Sequence, residues 1–151
     1  MERIKNSDLP EGLIEAMRHV QAFINNSGLD KMLLELMRTR VSQINGCAYC
    51  LDMHSKLAIH AGETVQRLIS VSAWREAPYY TAKERAVLEY AEILTRLEED
   101  SDIDLIHDKL LKHFTKGEIA HLSLAIAQIN SWNRIVKATG IIPGSFQVLR
   151  E

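Results

Sequence analysis

Apolar residues recur along this chain at intervals of three and four, with no sustained alternation, and that period predicts helices rather than strands. Leu13, Met17, Val20 and Ile24 mark one side of a first helix. It is expected to enter near Asp8-Leu9-Pro10, with Asp8 close to the N-cap and Pro10 in the first turn, and to end at Asn25-Asn26-Ser27-Gly28. A second helix, capped by Asp30, runs through Met32-Leu33-Leu34-Glu35-Leu36-Met37 to about Gln43, where Asn45-Gly46 breaks the chain. A third starts at Cys47 and stops at Gly62, and a short fourth covers about Glu63 to Ala73. Beyond Pro78, Thr81 with Glu84 and Thr115 with Glu118 have the spacing of capping boxes. Between them, Ser101 or Asp102 opens a helix ending near Phe114. The last helix, about 116 to 139, meets Gly140 and then Pro143, a common C-terminal stop.

Composition agrees with this pattern. There are 7 Gly and 3 Pro in 151 residues, and 46% of the side chains are hydrophobic, so six or seven helices in one all-α bundle spanning residues 1–151 are expected. No short-period repeat or linker divides it. A chain of this length buries roughly 70% of the surface it exposes when unfolded, so it needs neither a disulfide framework nor a structural metal to fold. The net charge of −2 offers no basic field to nucleic acid or to an anionic membrane. The opening Met1-Glu2-Arg3-Ile4-Lys5-Asn6-Ser7-Asp8 lacks the apolar core of a signal peptide, and no window approaches a membrane span. The expected location is cytoplasmic, where a structural disulfide is unusual, so the two cysteines are available for chemistry.

Both lie in Cys47-Ala48-Tyr49-Cys50-Leu51-Asp52-Met53-His54, at a predicted helix start. Free backbone N–H groups and the positive end of the helix dipole favour a thiolate there, lowering a cysteine pKa from about 8.5. Cys47 and Cys50 are i, i+3, near the separation a disulfide needs, and the first turn can adjust to it. His54 is i+4 from Cys50 and shares its helix face, with an ordinary histidine pKa of about 6.5 suited to proton transfer at neutral pH. Cys50 is therefore the better-supported nucleophile. Cys47, nearer the cap and expected to be the more accessible, would resolve an oxidised Cys50 as a disulfide.

Glu35 is a fourth candidate. Its helix is apolar around most of its circumference and so expected to be buried, and a buried carboxylate needs a partner. If the second and third helices pack antiparallel across Asn45-Gly46, Glu35 and His54 stand about 15 Å and about 12 Å up their helices at 1.5 Å per residue. That is compatible with a Glu35–His54–Cys50 proton relay. A structural ion pair with Arg38 or Arg40 would explain Glu35 equally well.

Glu35, the run Arg40-Val41-Ser42-Gln43-Ile44-Asn45-Gly46-Cys47-Ala48-Tyr49-Cys50, and Asp52-Met53-His54 together resemble the core signature, here residues 35–54, of the alkylhydroperoxidase D-like family. That family lies within the carboxymuconolactone decarboxylase-like superfamily. The likeness extends through Trp74-Arg75-Glu76, Thr81-Ala82-Lys83-Glu84-Arg85-Ala86 and Asn130-Ser131-Trp132-Asn133-Arg134. The resemblance implies an all-helical fold, trimers or hexamers, and thiol-dependent reduction of small hydroperoxides in antioxidant defence. No bound cofactor is implied; an external dithiol or protein reductant restores the thiols. It assigns attack on the peroxide to Cys50, resolution to Cys47 and proton relay to His54 with Glu35. Tyr49 departs from the best-studied members, which carry histidine there. Members with decarboxylase activity typically lack the cysteine pair.

Other readings compete. The cysteines could be inert small hydrophobes, or with His54 could supply three ligands to zinc, the fourth coming from His60, His107, His113, His121 or a carboxylate. No second cysteine pair favours that site, and no metal is expected. Covalent haem attachment fails because Leu51 follows Cys50, and a thioredoxin-like module fails for want of a βαβ pattern. A redox-responsive helical binding module, or a thiol–disulfide oxidoreductase without efficient peroxidase turnover, is the alternative function. His19, His60, His107, His113 and His121 read as surface or packing residues, Trp132 and the methionines as core or subunit contacts, and the acidic run Glu98 to Asp104 as a solvated turn.

Overall fold

The structure, a computed structural model, describes residues 2–148. Among them are seven α-helices and no strand: α1 (Leu13–Asn25), α2 (Lys31–Ile44), α3 (Ala48–His60), α4 (Val65–Ser70), α5 (Ala82–Arg96), α6 (Ile103–Leu111) and α7 (Lys116–Thr139). The protein is all-helical, as the three- and four-residue period predicts.

Local chemistry sets most of the boundaries. Asp30 accepts the Leu33 N–H at 2.7 Å to start α2, and Asp102, not Ser101, accepts that of Leu105 at 2.9 Å to start α6. Both capping boxes form. The Thr81 and Thr115 N–H groups donate to Glu84 and Glu118 at 2.7 Å, and the two hydroxyls accept from the Glu84 and Glu118 N–H groups at 3.2 Å. Gly140, at φ 77°, closes α7 in the left-handed conformation a glycine adopts without a Cβ clash.

Three boundaries differ from the sequence expectation. Asp8 caps no α-helix; it accepts the Lys5 N–H within a short 3-10 turn, and α1 begins after Gly12, whose φ of 81° a proline-led helix start would not produce. The helix expected from Glu63 is capped at Thr64, turns 3-10 over Val71–Ala73, and is α-helical only over Val65–Ser70. α6 stops at Leu111, before Phe114.

α2 lies at the centre, touching α3, α5 and α7. Every residue from Leu33 to Thr39 is buried, because the helix meets apolar surface on two sides. Leu34, Met37 and Val41 join the main core with Val87, Ile126 and Ile129, while Leu36 faces a second cluster under α4 with Leu68, Val71, Trp74 and Leu88. Each fully buried aliphatic side chain contributes about 1.5–3 kcal/mol, enough to hold the polar remainder of α2 in a fixed place. Within that remainder, Glu35 reaches His54 of α3 and Arg38 pairs with Glu35.

Candidate functional site

Cys47 is the N-cap residue of α3 and Cys50 lies in its first turn. The two are joined as a disulfide with Cα atoms 5.4 Å apart. Their sulfurs rest on Val136 of α7 with Tyr49 alongside. Both cysteines are only 1% exposed, so Cys47 is not the more accessible of the pair. The expectation from cap position fails because α7 packs across the helix start.

One helical turn beyond Cys50, His54 is also buried, and its Nδ1 lies 2.6 Å from Glu35 Oε2. The other Glu35 oxygen accepts from an Arg38 guanidinium nitrogen at 2.6 Å. Burial alone would push the Glu35 carboxyl up. The hydrogen bond and charge of His54, with the Arg38 guanidinium, outweigh burial and hold it below its ordinary value. An ionised Glu35 accepts from the Nδ1–H of His54, which directs Nε2 away from the carboxylate. The ring can then take up or return a proton on its free side while the carboxylate holds the other.

The structure thus brings Glu35 against both Arg38 and His54, so the ion-pair and relay geometries coexist in one triad. Arg40 takes no part. It binds Glu92, which is 2% exposed and also accepts from Trp74 Nε1 at 3.0 Å and from Arg75 at 2.6 Å. Burial raises the Glu92 carboxyl, but those donors outweigh it and hold the group below its usual value. Among the described residues no three His, Cys, Asp or Glu side chains are grouped to hold a metal ion. His19, His60 and His113 are exposed, whereas His107 and His121 are half-buried.

A second set of residues positions the motif. The Asn45 amide, in the turn before Gly46-Cys47, donates to Asn130 at 2.9 Å and Asn133 at 2.8 Å, while its carbonyl accepts from Lys137 at 2.8 Å. Asn133, wholly buried, donates to the Ser42 hydroxyl at 3.2 Å. The turn joining α2 to α3 is therefore fastened to α7, and the segment Asn130–Arg134 owes its polar character to that contact. The sequence carried a usable signal for it. Asn130, Asn133 and Lys137 stand at i, i+3 and i+7, a polar stripe on one face of a long helix.

Beside Glu35 and His54 opens a cavity of about 390 Å³, walled by α1, α2, α3 and Phe146 of the C-terminal segment. The disulfide does not line it. Comparison with known proteins places this arrangement. The sequence profile described as the carboxymuconolactone decarboxylase family matches residues 9–92, which include Glu35, both cysteines and His54.

The chain belongs to the carboxymuconolactone decarboxylase family.

Its likeness within the family is to the alkylhydroperoxidase D branch. A solved structure from Agrobacterium tumefaciens, of unknown function and connected by its description with AhpD antioxidant defence, superposes with a TM-score of 0.90 at 34% identity. The match covers 97% of this chain and all of that one. The uncharacterized protein YdfG of Bacillus subtilis is 38% identical over 131 residues, covering 87% of this chain and 88% of its own length. The alkyl hydroperoxide reductase AhpD of Streptomyces coelicolor is 43% identical over 68 residues, 43% of this chain and 38% of that protein. No helix among the described residues is long and apolar enough to cross a membrane.

Proposed function

We propose that this family member is a thiol-dependent peroxidase that reduces small hydroperoxides through the Cys47–Cys50 pair. The observation that carries the reading is the 2.6 Å contact between His54 Nδ1 and Glu35, one turn along the helix whose start holds both sulfurs. A peroxidase needs a thiolate and a proton for the departing oxygen, and this arrangement has candidates for both.

In the proposed cycle the Cys50 thiolate attacks the terminal peroxide oxygen and the O–O bond breaks. The alkoxide leaves with a proton from His54 as the alcohol, and Cys50 becomes a sulfenic acid. The Cys47 thiolate then attacks the Cys50 sulfur, forming the disulfide and releasing hydroxide, which is protonated to water. An external dithiol or protein reductant supplies the two electrons that reopen the disulfide. Glu35 acts through His54, as a positioning residue. The cytoplasmic setting expected from the sequence suits such a cycle.

Turnover of an organic hydroperoxide with dithiothreitol, followed by peroxide loss, tests this. Cys50→Ser is expected to abolish consumption, and Cys47→Ser to leave a sulfenic acid on Cys50 that mass spectrometry detects. Near wild-type turnover by Cys50→Ser would sink the assignment.

A second reading has an observation of its own. The disulfide is buried against Val136 of α7, so a change in its redox state would act directly on a helix contact, as a redox-responsive binding module would require. Oxidation for a single turnover followed by altered association, without catalytic peroxide loss, would favour it. Homo-oligomerisation to a trimer or hexamer is supported by exposed Ile59, Val65 and Ile69, at 47%, 58% and 71%, clustered on α3 and α4. Light scattering should then report a mass above the 17.2 kDa of one chain.

A further inference from the structure

The cavity beside His54 has more structure than a peroxide alone requires. Hydrogen peroxide is only about two water molecules in size, against ~30 Å³ per water, and would leave most of the ≈ 390 Å³ to solvent. Leu34, Met53, Leu57 and Phe146 line an apolar interior, and the volume is in the range of small-molecule sites. Phe146 is held in place as a wall. Its carbonyl accepts from Lys56 Nζ at 3.0 Å, and the Gly144 N–H donates at 3.1 Å to Asp52, itself paired with Lys56 at 2.8 Å.

The two ends of the cavity differ in charge. α2 and α3 run antiparallel across the Asn45–Gly46 turn, so Lys31 at the start of α2 and His60 at the end of α3 stand at the same end. By helical rise, Lys31 is about 6 Å from the level of Glu35, and His60 about 9 Å from that of His54. At the inner end the Glu35 charge is matched by Arg38. At the outer end Lys31 is exposed, and no carboxylate among the described residues lies within ion-pair distance of it. Asp30, its neighbour, caps the Leu33 N–H instead. Of the lysine and arginine side chains that line the cavity, Lys31 is thus the one that no carboxylate of the described residues matches.

We infer that this cavity holds the organic part of the substrate and that Lys31 selects molecules with a carboxylate on an apolar body, the reacting end toward His54 and the carboxylate toward Lys31. The inference rests on the peroxidase reading for the chemistry it serves, but its binding half can be measured without turnover.

The probes are decanoate and 1-decanol, titrated calorimetrically into the full chain. Wild type should bind decanoate about two- to fivefold more tightly than the alcohol, the effect of one exposed ion pair, and less so at high salt. Lys31→Met should remove the discrimination, Lys31→Arg should retain it, and Lys112→Met, remote from this cavity, should leave it unchanged. In turnover, the kcat/KM ratio for a long-chain hydroperoxy acid over its methyl ester should fall in Lys31→Met. Equal binding of decanoate and decanol by wild type, or discrimination surviving in Lys31→Met, overturns the inference whatever the activity. Decanoate selectivity that depends on Lys31, in a protein without peroxide turnover, would uphold the pocket and overturn the peroxidase reading instead.

Discussion

Replacing Glu35 by Gln keeps the shape of the side chain and removes its charge, which separates the two roles the triad permits. Arg38, with a side chain 4% exposed, then has no opposite charge, only the neutral amide oxygen at position 35 and Asn25 at a long 3.4 Å as acceptors for its guanidinium. Stranding one member of a buried ion pair costs about 3–5 kcal/mol. For a domain of this size each kcal/mol moves Tm by about 2–4 °C, so Glu35→Gln should melt roughly 6–20 °C below wild type. Removing both charges, in Glu35→Gln with Arg38→Met, leaves no buried ion and should recover most of the loss, a coupling on the order of 2–3 kcal/mol. Arg38→Met alone should cost less than Glu35→Gln, because His54 remains as a partner for the carboxylate. Urea unfolding followed by circular dichroism gives the four stabilities, and peroxide loss with dithiothreitol gives the four rates. If Glu35 positions His54, both variants lacking it lose about tenfold or more in turnover, with an altered pH profile, although the double variant is stable again. Wild-type turnover in the double variant would refute the positioning role and leave Glu35 a structural ion pair. A cost under about 1 kcal/mol for Glu35→Gln would refute the burial argument itself.

Two further outcomes follow from the polar interior. Glu35 and Glu92 are both held below the ordinary 4.5, so the stability they contribute is complete above that pH and is lost as pH falls through their lower folded values. Acid unfolding should therefore steepen below about pH 4.5, and Glu92→Gln should flatten it, as read from stability measured against pH. Asn133→Ala removes two hydrogen bonds, a half-buried one at 2.8 Å and a buried one at 3.2 Å, and should cost about 1–3 kcal/mol. It should also speed reduction of the Cys47–Cys50 disulfide by dithiothreitol, measured by thiol alkylation; an unchanged rate would show that the turn does not depend on its fastening.

Helix starts are legible where one residue and its third neighbour decide them, as at Asp30, Thr81, Asp102 and Thr115, because both partners lie in one turn. α1 starts later than its sequence suggests because Asp8 can cap either the Lys5 turn or a helix, and only packing chooses. The site was legible in part for the same reason. Cys50 and His54 are related by helical spacing, and Glu35 reaches His54 through one short turn, so a rise of 1.5 Å per residue places Glu35 and His54 at similar height, with Cys50 about 6 Å nearer the turn. What local spacing could not provide is separation in sequence. Asn45 meets Asn130 and Asn133 across 85 and 88 residues. Val136 buries the sulfurs from equally far along the chain, and Glu92 gathers donors from residues 40, 74 and 75.

The family match ends at residue 92, yet α7 begins at Lys116. Every reactive side chain would travel in a fragment cut after α5, and so would the whole block from Glu35 to His54. Such a fragment would have no Val136 to shield the sulfurs, no Asn133 to hold Ser42 and no Lys137 to fix the turn. Grafting the block onto another helical pair would move the reagents without their enclosure. A host scaffold would have to supply a third helix with a polar stripe against the turn and an apolar residue against the disulfide.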